Sequence, residues 1–457
     1  MRPALAIARR EVRENVVTWK LPLAIILTSV LLLAGVTSLA AAYRDAVDTH
    51  ALVQDEYDAR GEESSPQALA HRFLARPNAL ALVVGGPAES IRASLASVPV
   101  VTDESARERQ DPLLLRFAPT DLASLGVGVL SLLAILVAYD GVSGEKERGT
   151  LKLLLINPLT RGHVLLGKYL GAMATILGSL LVALLLAAIP LARAGVRFEA
   201  SDFARLGLIL LTLVLFLSVL VLASLAVSSM TTRSTVAILA LTLLWLVAVS
   251  GAGTLAATAA GAQPEGRTSE ELLRELRILH ASYDEEELAV NASLAQLEAK
   301  NATQNGTLAP EDAARLRGLR DERASLERQR VEDEQALLVA YVQGREIDLR
   351  KAERFAAVSP AEAFRSASQR LAQTDYDAAR ARLDEFGAYA REVKELRDEH
   401  DATGGAADDF QPPALRSAPS RVGSDASEAG PFLAALALQN ALAGALAIAA
   451  FTRYDVR

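Results

Sequence analysis

The stretch YDGVSGEKERGTLKLLLINPLTRGHVLLGKYLG, residues 139–171, decides how this chain folds. Its charge cluster, Glu145, Lys146, Glu147 and Arg148, stands directly between two long apolar runs. A charge at the centre of a bilayer is expensive, so residues 140–162 cannot cross one and must lie at a membrane face. The pattern inside the segment is amphipathic. Leu151, Leu153, Leu154, Leu155 and Ile156 are apolar, Asn157 and Pro158 break the chain, and Arg161 and His163 precede the next apolar run. A short charged helix at the interface is what a membrane protein presents to a soluble partner.

Working outward from this segment, the apolar runs flanking it cover residues 121–139 and 163–191. Further runs cover 21–42, 206–227, 235–260 and 431–451. With 51% of the 457 residues hydrophobic and only 5% aromatic, so many runs of spanning length imply a multi-span membrane protein. The expected fold is an all-α membrane protein with six transmembrane helices and two extracytoplasmic insertions, the second long, helical and coiled-coil-like. The formal net charge of −8 is uneven, with acidic residues gathered beyond Ser269. No basic patch with interleaved aromatics is present, which excludes nucleic acid as a partner. The absence of cysteine excludes disulfides and thiolate metal sites. Three methionines and five scattered histidines argue against a soft-metal pathway.

Residues 1–20 read as an amphipathic helix, with Leu5, Ile7, Ala8, Val12, Val16 and Val17 set against Arg9, Arg10, Glu11, Arg13 and Glu14. The apolar run that follows is too long for a signal peptide, so this leading helix is expected to remain, lying along the cytoplasmic interface. Residues 43–120 form the first insertion, with a helix start at Ser65 and Pro66 and a short strand over 79–84. Pro190 falls at the outer end of its span, and Ser201 is a candidate N-cap for the next. Arg193, Arg197 and Arg205 lie around the loop between these two spans, and residues 228–234 make a tight turn carrying Arg233. Gly251 and Gly253 would allow close helix packing.

The second insertion covers 261–430. Thr268 with Glu271, and Ser359-Pro360 with Glu362, match capping boxes. Leu272, Leu276, Leu279, Tyr283, Val290, Leu294 and Leu297 fall on a heptad-like stripe. Pro310 opens a second helix, Leu383, Phe386 and Val393 continue the stripe, and 400–425 reads as a linker. A tail, 452–457, follows the last run.

Lys and Arg concentrate in the short loops that share a side with the amino terminus: Arg2, Arg9, Arg10, Arg13, Lys20, Lys146, Arg148, Lys152, Arg161, Lys168, Arg233, Arg453 and Arg457. By the positive-inside rule these are cytoplasmic. Both termini are then inside, and both insertions outside. The arginines around the 192–203 loop run against the rule.

No nucleotide-binding GxxxxGK[ST], HExxH or GxSxG pattern occurs. The acidic runs at Glu285, Glu286, Glu287, Asp408 and Asp409 read as solvated surface. His280 and His400 are isolated, and the three Asn-x-Ser/Thr matches at Asn291, Asn301 and Asn305 are chance. No catalytic residue, metal site or cofactor is expected.

Gly144-Glu145-Lys146-Glu147-Arg148-Gly149-Thr150, with the leucines that follow, Asn157-Pro158, Arg161 and Leu166-Gly167-Lys168, resembles the signature of ABC-2-type transporter permeases. The resemblance implies that this segment is the coupling helix contacting a separately encoded ATPase. Gly144, Glu145, Lys146, Glu147, Arg148, Gly149, Thr150 and Leu151 are then the coupling residues. Glu145, Glu147 and Arg148 would touch the ATPase, and Gly144 and Gly149 would turn the chain at the helix ends. It implies a multi-pass protein of the inner membrane, paired with a second permease copy or a paralogue; a periplasmic or envelope protein is a further candidate partner.

Two outer stretches carry a second resemblance. Arg76-Pro77-Asn78-Ala79-Leu80-Ala81 with Gly85-Gly86 is one. The other is Val358-Ser359-Pro360-Ala361-Glu362-Ala363 with Leu371-Ala372-Gln373-Thr374-Asp375, Phe386 and Tyr389. Together they are similar to a branch of ABC-2 permeases akin to the NosY-type permeases of multi-copper enzyme maturation. The copper role does not carry over, since the Met, Cys and clustered His that handling copper would need are missing. The alternative from a different class is a membrane-anchored sensor or scaffold with a coiled-coil outer domain and no ATPase partner.

Overall fold

The computed structural model describes residues 2–59, 78–86, 121–151, 160–196, 198–251, 255, 258, 269–303, 310–402 and 422–453. Among these there is no strand, and the chain divides into two units: Met1–Gly253 with Ala357–Arg457, and Thr254–Ala356.

The first unit is a helical bundle. Helix α1 is Arg2–Val17 and α2 is Lys20–Ala59. They are separated only by Thr18 and Trp19, the latter at φ 62°. Helix α3 runs through Leu122–Leu125, a π turn at Gly126–Leu130 and Ser131–Ala138, and α4 is the single turn Ser143–Glu147. Then come α5 (Arg161–Arg193), α6 (Ala200–Met230) and α7 (Ser234–Trp245), which ends in a π turn at Leu246–Gly251. Among the described residues five helical stretches are long and apolar enough to cross a membrane: Lys20–Leu52, Leu122–Glu147 (α3 continued through α4), Arg161–Arg193, Ala200–Met230 and Val422–Thr452. Ser234–Val249 is apolar but shorter. In hydrocarbon a helix satisfies its own backbone, which is why these runs can be nothing else. The 33 residues of α5 rise roughly 50 Å, beyond the ~30 Å hydrocarbon core, so its ends stand at or past the interfaces.

Helix α6 lies at the centre. Its Ile209, Leu213, Phe216 and Leu217 are fully buried in one apolar cluster shared with α3, α5 and the last helix of the chain. Helix α5 packs along α1 with its first half and along α2 with its second. Trp245 Nε1 donates to Ser131 Oγ (2.8 Å), tying α7 to α3.

The second unit is a hairpin of α8 (Ser269–Thr303) and α9 (Pro310–Ala356). Tyr283 donates to Asp333 (2.8 Å) and Glu287 pairs with Arg330 (3.2 Å), an antiparallel register. The expected stripe is the one that is covered. Val290 and Leu294 are buried with Leu316 and Leu326, and Tyr283, Leu297 and Leu319 pack against them. Pro310 opens α9, as its fixed φ suits the first helical position. Thr268 and residues 304–309 lie outside the described residues.

Beyond the hairpin the chain returns to the bundle through α10 (Pro360–Ala372), followed by α11 (Tyr376–Ala402) and α12 (Val422–Thr452). Helix α10 is buried in the bundle. Ala361, Phe364, Ala367 and Leu371 are at most 1% exposed, and the Phe364 ring stacks on Phe216 of α6 at 5.1 Å. Its start lies beside the middle of α12, where Gln439 Nε2 donates to the carbonyls of Ala357 (3.2 Å) and Val358 (3.0 Å).

Three local expectations are corrected here. Ser359 precedes α10 with Pro360 at its first turn, but its hydroxyl makes no capping bond. It donates to the Ala248 carbonyl (2.6 Å) in the π turn, while Glu362 pairs with Arg365. A π turn leaves carbonyls misaligned, and a buried unpaired carbonyl costs about 1–3 kcal/mol, so the hydroxyl goes there. Ala79–Leu82 is a 3₁₀ turn rather than a strand, because the Asn78 side chain accepts from Leu80 N (3.0 Å) and curls the chain. Helix α6 starts at Ala200, ahead of Ser201, with Asp202 accepting from the Glu199 amide (2.9 Å). The helix start expected at Ser65 and Pro66 lies outside the described residues.

At the bundle end that holds the start of α6, the motifs beginning at Arg76 and Val358 meet although nearly 300 residues separate them. Asn78 Nδ2 donates to the Ala372 carbonyl (3.0 Å) and Gln369 Nε2 to the Gly85 carbonyl (3.1 Å). Asp121 caps α3 by accepting from Ser124 N (2.8 Å), and it also accepts from Gly85 N (2.6 Å). Buried Arg205 of α6 bridges Asp202 (3.3 Å) and Asp425 of α12 (2.9 Å).

Candidate functional site at the charged end of the bundle

The opposite end carries the deciding segment. Helix α4 holds Gly144, Glu145, Lys146 and Glu147, and Arg148 closes it. Gly149 follows at φ +70°, the left-handed conformation that glycine adopts most cheaply, so this helix end turns as expected. Gly144 lies within the helix itself. Thr150 Oγ1 donates to the Glu145 carbonyl (3.4 Å), and Leu151 is 1% exposed. Residues 152–159, with the Asn157-Pro158 break, lie outside the described residues.

The four charged side chains go to four different places. Glu145 is 3% exposed and meets Lys168 of α5 at 2.9 Å. Lys168, equally buried, also meets Glu11 of α1 at 2.6 Å. One ammonium therefore joins α1, α4 and α5. Lys146 donates to the carbonyls of Ser229 (2.5 Å) and Thr231 (3.0 Å), satisfying the end of α6. Glu147 accepts from the amide (2.9 Å) and hydroxyl (2.8 Å) of Ser234, capping α7 from another element. Arg148 is half exposed and reaches Glu14 at 3.5 Å. An exposed pair of that kind adds about 1 kcal/mol at most.

The neighbouring elements converge on the same place. The Ser228 hydroxyl accepts from Val142 N (3.1 Å) and Ser143 N (2.9 Å), anchoring the start of α4 to α6. Lys20 at the head of α2 pairs with Asp140 (2.7 Å) and lies over the Tyr139 ring. Arg161 donates to the carbonyls of Phe451 (3.3 Å) and Thr452 (2.5 Å), the open end of α12. Every helix that begins or ends here is thus tied to the charged segment or to its neighbours.

Helix α1 is seated closely. A Cβ on Gly167 would lie 2.8 Å from the Ala4 carbonyl, and one on Gly171 3.1 Å from that of Ala8 and 2.5 Å from Glu11 Cβ. Two glycines one turn apart on α5 thus receive two alanines one turn apart on α1, a small-residue crossing. Asn15 Nδ2 continues the seam by donating to Thr175 Oγ1 (3.0 Å). Gly171→Val is expected to force α1 off α5, lowering stability in detergent by about 1–3 kcal/mol. A Gly171→Val protein as stable as wild type would show that α1 yields without loss.

The sequence alone did not single out Glu11, Asn15 or the serines at 143, 228 and 234. Lys168 was visible only as part of a motif and as one of the cations on the amino-terminal side. The signal that finds it is a lone lysine two turns into an apolar helix, since a charge at that depth requires a partner.

The ABC-2 family transporter protein model matches this chain over residues 5–455. Two proteins named probable ABC transporter permease protein NosY are similar over 62 residues. The one from Pseudomonas aeruginosa is 52% identical and the one from Stutzerimonas stutzeri 50%. Each stretch covers 12% of this chain and 22% of the curated relative, so the chain matches well under two thirds of the length of either.

Proposed function

We propose, from the premise that this chain belongs to the ABC-2 family of transporter proteins and is a membrane permease of an ABC transporter, that it converts ATP hydrolysis by a separate cytoplasmic ATPase into movement of its own helices. The observation that carries the reading is the three-way junction at Lys168. Through it, a force applied to α4 reaches α1 and α5 directly. Gly144, Glu145, Lys146, Glu147, Arg148, Gly149, Thr150 and Leu151 form the coupling segment in this reading, with distinct tasks. Arg148 faces the ATPase. Glu145 passes the motion inward through Lys168. Lys146 and Glu147 pass it to the ends of α6 and α7. Leu151 seats the segment on the bundle.

In the same reading Ser234–Val249 continues to complete a sixth span, the protein sits in the inner membrane with both termini cytoplasmic, and a second permease copy completes the transporter. The concentration of Lys20, Lys146, Arg148, Arg161 and Lys168 at one end supports this orientation. The helical hairpin of α8 and α9 favours mechanical work on an envelope partner over passage of a solute. It is an extended apolar-seamed rod, and it leaves Leu273, Ile278 and Leu288 exposed.

The test is ATP hydrolysis in the reconstituted complex of permease and ATPase. Arg148→Glu removes only a weak contact with Glu14, so the permease should stay folded while stimulation of hydrolysis falls on the order of tenfold, as for reversal of a contact charge. Wild-type stimulation by Arg148→Glu would overturn the assignment of Arg148. Glu147→Lys is a poorer probe, because it also strips the cap from α7.

A further inference from the structure

A cleft of about 500 Å³ lies between α2 and α5, away from the charged end. Its walls are mostly apolar: Leu33, Ala40 and Ala41 with Thr37, whose hydroxyl is spent on the Ala34 carbonyl, on one side, and Leu186, Ile189 and Pro190 on the other. Two cations, Arg44 and Arg193, close one end of it. Arg44 spends one donor on the main-chain carbonyl of Arg193. Among the described residues neither guanidinium has a carboxylate within ion-pair distance.

The depth of this pair is fixed by helix geometry. Lys20, at the head of α2, and Arg44 are 24 rises apart, about 36 Å. Lys168 and Arg193 on α5 are 25 rises apart, about 38 Å. A bilayer is about 30 Å across its hydrocarbon and 40–45 Å with headgroups. With Lys20 and Lys168 at one interface, Arg44 and Arg193 stand at the headgroup level of the other, and the apolar cleft beneath them opens where acyl chains lie.

We propose that this cleft binds an anionic phospholipid, its phosphate held by Arg44 and Arg193 and one acyl chain laid between α2 and α5. Charge complementarity commits the occupant. A guanidinium pair matches a phosphodiester oxygen fork, and a zwitterionic headgroup gives back part of that attraction. The site also accounts for Arg193, one of the arginines that offend the positive-inside rule. Arg205 is consumed by Asp202 and Asp425, leaving Arg193 with Arg44 to face the headgroups. A lipid seated there fills the space between α2, which directly follows α1 of the coupling junction, and α5, which carries Lys168.

The experiment is native mass spectrometry of the full-length protein titrated with phosphatidylglycerol or with phosphatidylcholine of the same acyl chains. Wild type should retain phosphatidylglycerol preferentially. Arg44→Gln/Arg193→Gln should weaken phosphatidylglycerol by about tenfold or more and phosphatidylcholine by less, since the two lost arginines attract the anionic headgroup in full and the zwitterionic one only in part. Arg193→Gln alone keeps the main-chain carbonyl that Arg44 binds, so it should fold and still lose part of the preference if the double variant is unstable. Ala41→Trp, which fills the cleft, should lower retention of both lipids. An undiminished preference in both arginine variants would overturn the site. Displacement of phosphatidylglycerol by inorganic phosphate would overturn it too, by showing a free-anion site.

Discussion

Lys168→Met is expected to destabilise the protein by about 3–5 kcal/mol, the usual consequence of removing one partner from a buried ion pair. The reason is what remains behind. Glu145 is 3% exposed, and its Oε2 is buried with no hydrogen-bond partner among the described residues, so Lys168 is the counter-charge that the structure shows for it. Methionine keeps the length of the lysine stem and leaves the carboxylate without that counter-charge. The loss should therefore exceed that of Glu11→Gln, because Glu11 is the more exposed of the two acids. The double variant Lys168→Met/Glu145→Gln should recover a large part of the stability, since the one carboxylate then left without its counter-charge is the more exposed Glu11. Unfolding in detergent followed through Trp19, which sits at the joint between α1 and α2, reports both proteins. Equal stability of Lys168→Met and wild type would mean that water reaches Glu145 and that the junction is open. A double variant no better than the single would mean that packing, not charge, is what Lys168 supplies.

The depth to which the fold was legible differs along the chain for physical reasons. The charged segment and the apolar runs beside it are local patterns, and the bilayer leaves them few alternatives, so a helical bundle with one charged end follows from the residues themselves. The hairpin of α8 and α9 was legible for the same reason. Leu272, Tyr283, Val290 and Leu294 recur at a coiled-coil period that admits one buried face. Helix α10 was not. Its Ala361, Phe364, Ala367 and Leu371 describe an amphipathic helix of any kind, and nothing in thirteen residues says that Phe364 will stack on Phe216 inside the bundle. Ser359 misled because a serine before proline and glutamate fits a capping box as well as it fits a donor for a stray carbonyl. At the charged end, the sequence placed Glu145 among the exposed contacts because charge is read as surface. Lys168, 23 residues further on, is what allows that carboxylate to be buried in this structure.

Gly86→Ala is expected to break the joint at the other end of the bundle. A Cβ at Gly86 would stand 2.1 Å from the Thr374 carbonyl oxygen, 2.7 Å from its carbon and 2.9 Å from its Cβ. The nearest two of those atoms belong to the main chain, so no rotamer change relieves the overlap. Thr374 in turn cannot withdraw freely, because its amide donates to the Gln369 carbonyl (2.9 Å) at the close of α10, where Gln373 already takes a left-handed φ of 56°. The stretch carrying Gly86 must therefore move away, and with it go the bonds from Gln369 to Gly85 and from Asn78 to Ala372. Losing them, with the strain of the extra methyl, should cost about 2–4 kcal/mol. Limited proteolysis should cut the 78–86 stretch faster, and unfolding in detergent should shift to lower temperature. Thr374→Ala in the same chain should give no rescue, because alanine keeps the Cβ as well as the main chain, and so all three clashing atoms. Full rescue by Thr374→Ala would show that the side chain, not the main chain, sets the closeness of the joint. A Gly86→Ala protein with wild-type stability and protease resistance would show that the 78–86 stretch and the end of α10 do not rest on each other at all.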